Sequence, residues 1–223
     1  MTTTTQRSER RADALSKERI VAAAIQILDS GGEKALTFRA LAARLATGAG
    51  AIYWHVADKN ELLAAATDDI IARAMAEAAD SEQPRETIRA AALTVFDVID
   101  AHPWVGAQLA EEPWQPAVLR ILEGFGGPLT ALGVPEKAQF DCATALLNYV
   151  SGLAAQYAAA ARLQGRETSR TALLANVAAR WTALDPAEYP FVHRVAARLA
   201  DHDDREQFLA GIDLILTGIE AVR

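Results

Sequence analysis

The sequence predicts an all-α protein, and three of its features support this. Alanine is abundant, runs of the strand-favouring residues Val, Ile and Thr are missing, and Gly and Pro fall between long periodic stretches. Of the 223 residues 51% are apolar and 23% are charged. Such a chain is globular rather than disordered, and it is long enough for one substantial core or for two helical domains that share one.

The N-terminal part of the chain is predicted to consist of a polar arm followed by a capped helix. Residues 1–15 are polar, rich in threonine and carry three arginines, which predicts a flexible basic arm. A first helix is predicted from Lys17, with Ser16 as its N-cap, to Ser30, where two glycines stop it.

The next elements form a helix-turn-helix pattern. A short second helix is predicted over 38–45 with Thr37 as its N-cap, and a still shorter third helix ends near His55. Asp58 opens a long fourth helix, and Glu61 three residues later completes a capping box. The turn of about three residues between the second and third helices fits a DNA-binding helix-turn-helix. By spacing alone, an ordinary corner between two helices of a bundle, which is the commoner arrangement, fits as well.

From Glu61 onward the chain is predicted to be helical almost throughout. The predicted breaks lie near residues 80–84, 102–103, 111–113, 126–128, 133–135, 164–168, 185–190 and 201–204. No linker rich in Gly or Ser is present, so this part should pack directly against the first helices. The predicted organisation is a basic arm over 1–15, a helix-turn-helix domain over 16–63 and a larger helical domain over 64–223.

The charge is distributed unevenly along the chain. A formal net charge of −7 argues, taken whole, against a nucleic-acid partner. Residues 1–63, however, carry nine basic and seven acidic side chains, which makes this segment +2 and the remainder −9. Such a difference between the two halves is a weak indication of one end that faces nucleic acid.

Several classes of protein are not predicted. The single Cys142 excludes an internal disulfide and is too few for a thiolate zinc site, and no metal or cofactor site is predicted. The N-terminus lacks the apolar core of a signal peptide, and the apolar stretch 145–161 is shorter than the ~20 residues of a membrane helix. A soluble cytoplasmic protein with no membrane partner is therefore expected. The chain has no Gly-x-Ser-x-Gly elbow, and its GFGG at 124–127 lacks the lysine of a phosphate loop, so an enzyme is not expected.

The run TFRALAARLATGAGAIYWHVADKNELL, Thr37 to Leu63, resembles the helix-turn-helix of the TetR family of bacterial transcription regulators. Its YWHV is similar to that of the tetracycline repressors in particular. Thr47 stands where the family has a buried Val, and Gly48 stands where it has a capping Ser. The residues in register with the family pattern are Leu41-Ala42, Leu45, Ile52-Tyr53, His55-Val56, Lys59 and Leu62-Leu63.

The third helix would enter the major groove with its N-terminal residues nearest the bases. Ala49, Gly50 and Ala51 let the backbone approach closely, but they carry no side-chain donor or acceptor. Only the two alanines can contact thymine methyl groups. Base reading must therefore depend on other residues.

The resemblance implies how the larger side chains act. Tyr53 and His55 would contact phosphate, Lys59 would anchor the next helix to phosphate, and Arg39 would reach the DNA from the second helix. Trp54 would lie on the DNA backbone or pack against the scaffold. Core packing remains the alternative for Tyr53, and a solvated helix face remains the alternative for Arg39. The predicted DNA-binding residues are Thr37, Arg39, Thr47, Ala49, Gly50, Ala51, Tyr53, Trp54, His55 and Lys59.

The long second half contains a predicted dimer interface and a predicted pocket. The last helix carries an apolar stripe at helical spacing, for which an intramolecular core is the alternative, and the resemblance implies a homodimer with a four-helix interface. Aromatic and polar residues between the helices suit a small-molecule pocket, although each aromatic alone also fits an ordinary core. The predicted dimerisation residues are Phe208, Ile212, Ile215 and Ile219. The predicted ligand-binding residues are Trp104, Trp114, Phe125, Asn148, Tyr149 and Tyr157.

The sequence therefore predicts a ligand-responsive transcriptional repressor. It would bind a palindromic double-stranded DNA operator as a homodimer and be released by a small-molecule effector. The alternative is an all-α small-molecule binding protein that no longer reads DNA, which the lack of base-reading side chains at 49–51 motivates.

Overall fold

The computed structural model describes residues 15–78, 81–111, 114–163, 170–199 and 203–222, apart from the side chains of residues 157–163 and 170. Within these ranges the chain is helical and contains no strand, so the all-α prediction is confirmed. The predicted arm lies almost wholly outside the described residues. The first four helices are α1 (Lys17–Gly31), α2 (Phe38–Arg44), α3 (Ala49–Tyr53) and α4 (Lys59–Glu77).

The starts of α1, α2 and α4 are fixed by side-chain caps. Ser16, Thr37 and Asp58 each accept a hydrogen bond from the backbone amide three residues later, at 3.3, 3.1 and 2.8 Å. Glu61 in turn accepts from the amide of Ala57 at 2.7 Å. These bonds satisfy amides that a helix start leaves without a partner. The three predicted N-caps are confirmed, whereas the predicted capping box forms in a shifted version, because Glu61 accepts from the residue before the N-cap Asp58.

The described residues of the second half form seven α-helices. The predicted break near 126–128 is wrong, because α7 continues through Pro128. Proline lacks the amide for one helical hydrogen bond. Phe125 and Leu129 on either side of it are fully buried, and their packing offsets that loss. The helices are α5 (Pro84–Ala101), α6 (Pro103–Glu111), α7 (Pro116–Ala131), α8 (Glu136–Leu163), α9 (Arg170–Thr182), α10 (Pro190–Ala196) and α11 (Asp204–Glu220).

Helix α4 belongs to both halves of the molecule. It packs on α1 of the helix-turn-helix and on α5, α6 and α7 of the second half. In the second half, α6 lies against α8 so closely that a Cβ atom at Gly106 would be 2.7 Å from the carbonyl oxygen of Ala154. Helices α9 and α10 pack against each other. Within the described ranges, no helix is both long and apolar enough to cross a bilayer.

The turn between α2 and α3 contains a strained residue. Among the described residues other than glycine, Ala46 alone has a positive φ, 51°. This conformation costs an alanine about 1–2 kcal/mol, whereas glycine adopts it freely but loses more entropy on folding. We expect Ala46→Gly to raise the free energy of unfolding by roughly 0.5–1 kcal/mol in urea titrations.

A matched substitution at an ordinary helical position checks this prediction. Ala22 is exposed in the middle of α1. Ala22→Gly should lower the free energy of unfolding by about 1 kcal/mol, since glycine is a poor helix former. Two substitutions of the same chemistry should thus have opposite signs. A loss of stability at both positions would show that the turn is not strained.

Candidate nucleic-acid interface

Each helix of the helix-turn-helix contributes apolar side chains to the continuous core of the molecule. Ile20 of α1, Leu41 of α2, Ile52 of α3 and Leu62 of α4 are all fully or almost fully buried. After α2 the chain turns sharply, and the amide of Thr47 donates to the carbonyl of Ala42 at 3.0 Å. This core fixes α3 against α2.

The start of α3 is bare, which means that it carries no large or polar side chain. Gly48 caps the helix with no side-chain hydrogen bond, and both it and Gly50 are exposed, with no atom within 4 Å of where a Cβ would stand. Ala49 and Ala51 are half-buried. The predicted close-approach surface therefore consists of backbone and methyl groups. A helix start of this kind presents amide N–H groups and the positive end of a weak dipole.

The end of α3 carries the large side chains. The ring of Tyr53 stacks on Phe38, with ring centroids 4.3 Å apart, and 54% of Tyr53 remains exposed. Trp54, the C-cap of α3, is 89% exposed, and His55 is half-buried. Tyr53 thus contributes to the scaffold through its ring and still reaches the surface. Trp54 does not pack against the scaffold.

The basic side chains of this domain differ in their availability. Arg39 is exposed and makes no hydrogen bond or ion pair with a described residue. Lys59, predicted to anchor phosphate, donates to the carbonyl of Glu33 at 2.9 Å and lies 3.2 Å from its carboxylate. Arg44 holds the amide oxygen of Gln26 at 2.6 and 2.8 Å. Lys59 and Arg44 would therefore have to exchange an internal partner for a phosphate, whereas Arg39 would not.

Of the six predicted ligand-binding residues, the five whose side chains are described are not brought together around one cavity. Trp104 is buried, and its indole Nε1 donates to Asp29 of α1 at 2.8 Å. Phe125 is fully buried in the core. Trp114 is 83% exposed, Asn148 is exposed on α8, and the side chain of Tyr157 lies outside the described residues.

Tyr149 joins α8 to α11. Its hydroxyl donates to the carbonyl of Phe208 at 3.2 Å, and its ring stacks on the Phe208 ring at 5.6 Å. Burial raises the pKa of this hydroxyl. A Cβ atom at Gly211 would clash with the Tyr149 side chain. Glycine at this position therefore leaves the space that the tyrosine occupies. Tyr149 is therefore a partly buried residue that packs against the core.

The predicted dimerisation residues pack within the single chain. Phe208, Ile212 and Ile219 are buried within the chain, and Ile215 packs against the same core. Phe208 stacks on Phe96 of α5 at 5.0 Å. An apolar stripe shows that one face of a helix is buried, but not whether the chain itself or a partner covers it. Here the chain covers it.

Comparison with known proteins then assigns the chain to a family. Residues 20–66 match the sequence profile described as bacterial regulatory proteins, tetR family, and residues 79–223 match the profile of the tetracyclin repressor-like C-terminal domain. The chain belongs to the TetR family. The first match begins within α1 and ends within α4, and the second runs from residue 79, before α5, to residue 223.

TetR proteins of known sequence and structure resemble it over most of its length. A TetR transcriptional regulator from Streptomyces coelicolor is 49% identical, with a TM-score of 0.81, and the match covers 94% of this chain and 99% of that one. An HTH-type transcriptional regulator of Saccharopolyspora erythraea is 30% identical over 79% of this chain and 72% of its own. The class D tetracycline repressor from Escherichia coli is 27% identical over 92% of this chain and 89% of its own. These relatives are transcriptional regulators and not enzymes.

Proposed function

We propose that this TetR-family regulator is a repressor that binds a palindromic operator as a homodimer and releases it when a small-molecule effector binds. The observation that carries the DNA-binding part is the surface formed by α2 and α3. It combines a bare helix start with a largely exposed Trp54, a half-exposed Tyr53 and an exposed, unpaired Arg39 among the described residues. The bare start permits close approach to the groove, and the larger side chains supply contacts to the backbone and to base edges.

Footprinting on the DNA that flanks its own gene tests this proposal. Two recognition surfaces related by a two-fold axis should protect two half-sites about 34–36 Å apart, or a multiple of that spacing. Lack of a protected palindrome at moderate salt would overturn the proposal. A single protected half-site would contradict the dimer part alone.

The dimer is proposed to form through the exposed faces of α8 and α11. These two helices pack against each other within the chain, so their outer faces are adjacent. The outer face of α8 carries small residues, which allow two helices to approach closely. On α11, Leu214 is 76% exposed, opposite the buried stripe. The proposed interface residues are Ala145, Asn148, Gly152, Ala155, Ala210, Leu214 and Gly218.

A charge on this face should dissociate the dimer. Leu214→Glu would place a carboxylate in the centre of the proposed interface, where burying an unpaired charge is costly. We expect sedimentation velocity to show monomers at concentrations where the unaltered protein is dimeric. Leu119→Glu is the matched control, because Leu119 is 51% exposed on α7 and is not one of the proposed interface residues. A Leu214→Glu protein that stays dimeric would place the interface elsewhere.

The effector is proposed to act on the second half. ActR from Streptomyces coelicolor, with a TM-score of 0.75 and 22% identity over 93% of this chain, shares the fold and was solved in complex with actinorhodin. The fold therefore accommodates a small molecule. The test is release of preformed protein–operator complex by compounds on which the neighbouring gene product acts. Compounds that bind the protein but leave the complex intact would contradict the effector part.

One observation favours the second candidate, a small-molecule binding protein that no longer reads DNA. Lys59 and Arg44, two of the basic residues in the helix-turn-helix domain, are engaged with Glu33 and Gln26. If this candidate is correct, the unaltered protein binds DNA only negligibly, and Arg39→Ala should not change that. If the repressor proposal is correct, operator binding should weaken while the thermal stability is retained, since Arg39 is exposed.

A further inference from the structure

A carboxylate of α1 receives two hydrogen bonds from the junction between α5 and α6. The Oδ1 atom of Asp29 lies 2.7 Å from Nδ1 of His102 and 2.8 Å from Nε1 of Trp104. A carboxylate oxygen only accepts, so Nδ1 of His102 must carry the proton. Asp29 lies near the end of α1 in the helix-turn-helix domain, and its two donors are more than 70 residues away in the other domain.

This contact joins α1 to the α5–α6 junction without involving α4, the helix that the two domains share. A single shared helix leaves the helix-turn-helix domain free to rotate about that helix. At the beginning of α1 a groove of about 590 Å³ lies between the two domains, lined by Lys17 and Val21 of α1 and by Pro116 and Arg120 of α7. A second attachment that does not involve α4 restricts this rotation. The bonds to Asp29 are such an attachment at the other end of α1.

We infer that Asp29, His102 and Trp104 form an interdomain tether that sets the orientation of the helix-turn-helix domain for operator binding. This inference rests on the proposed function, and it adds positioning residues that do not touch DNA. Without the tether, the domain samples more orientations, and only a fraction of them match the operator. The apparent affinity falls by that fraction. The tether also gives Trp104, at the start of α6, a direct connection to α1.

The tether depends on one acceptor atom of Asp29. Both bonds end on one oxygen, Oδ1, and an asparagine side chain offers a carbonyl oxygen with two lone pairs in the same place. Asp29→Asn should therefore keep the tether, whereas Asp29→Ala should remove it. Trp104→Phe keeps a buried ring and removes one donor, so it should weaken the tether in part.

Operator titrations of these variants test the tether. Asp29→Ala should lower operator affinity about fivefold or more, a typical size for coupling between sites. Asp29→Asn should bind almost as the unaltered protein does, and Trp104→Phe should lie between them. Circular dichroism and thermal melts establish that each variant is folded.

The control is Asp97→Ala, which removes the same charge and an exposed ion pair to Arg205, 3.2 Å long, between α5 and α11. Loss of an acid from a chain of net charge −7 should by itself favour DNA binding, so the control should bind equally well or better. Unchanged or tighter binding by Asp29→Ala would overturn the tether. Equal weakening by Asp29→Asn and Asp29→Ala would overturn it also, because charge would then be responsible.

A distance measurement tests the tether without DNA. Nitroxide labels at the exposed positions Ala43 of α2 and Glu123 of α7 can be placed in a Cys142→Ala background and diluted with unlabelled protein. We expect the distance distribution between the labels to broaden in Asp29→Ala and to remain narrow in Asp29→Asn. A narrow distribution in both would overturn the tether. If the unaltered protein bound no operator but the broadening were observed, the proposed function would fail and the tether would stand as an orientation device only.

Discussion

Phe208→Ala is expected to lower the free energy of unfolding by about 3–5 kcal/mol, the usual cost of removing a buried phenylalanine ring. The Phe208 ring is almost fully buried and lies between the rings of Phe96 and Tyr149, at 5.0 and 5.6 Å. Its removal leaves a cavity where α5, α8 and α11 meet. Denaturant titration at several protein concentrations is the measurement, since association contributes to the apparent stability of a dimer.

The opposite face of α11 provides the comparison. Leu214→Ala removes a side chain that is largely exposed in the single chain, so it should lower stability only through weaker association. The loss of stability caused by Leu214→Ala should depend on protein concentration. Most of the loss caused by Phe208→Ala should be independent of protein concentration. If Phe208→Ala instead dissociated the dimer and left the unfolding of the chain unchanged, the apolar stripe would be the interface after all.

Trp54→Ala is expected to weaken operator binding by about tenfold or more, or at least 1.4 kcal/mol. Trp54 is 89% exposed at the end of α3, so its truncation should not destabilise the fold. A large aromatic surface that is covered on binding contributes strongly to affinity, and tryptophan is prominent among such residues. Fluorescence anisotropy of a labelled operator measures the loss.

Trp114→Ala is the matched control for this substitution. Trp114 is similarly exposed, at 83%, but it lies just before α7 in the other domain. The two variants lose the same side chain from similarly exposed sites, and only Trp54→Ala should change operator affinity. Equal effects of the two substitutions would remove the support for α3 as the recognition helix.

The helix-turn-helix could be predicted from the sequence because its signals are local. Ser16, Thr37 and Asp58 act on amides three residues away, so their capping bonds are implied by the order of the residues. The break predicted at Pro128 failed because the packing of Phe125 and Leu129 outweighed a local preference. Tertiary packing of this kind does not appear in a short window of sequence.

The second half could be predicted less well because its signals are ambiguous. The stripe at Phe208 and Ile212 indicates burial, yet α11 has two faces, and the face left exposed carries mostly small residues around Leu214. Trp104 fits an aromatic pocket wall in sequence, and only the fold shows that its indole donates to Asp29. Such contacts join residues that are far apart in the chain, so they cannot be predicted from the spacing of residues in the sequence.

Operator affinity as a function of salt tests the central claim, sequence-specific DNA binding by the α2–α3 surface, most directly. Titration of labelled DNA from the flank of its own gene, against a scrambled duplex of equal length and composition, should give a specific affinity at least about 10³-fold tighter. The logarithm of affinity should fall with the logarithm of salt concentration at a slope of about −0.9 for each phosphate contact. Equal affinities for the two duplexes at every salt concentration would contradict the claim.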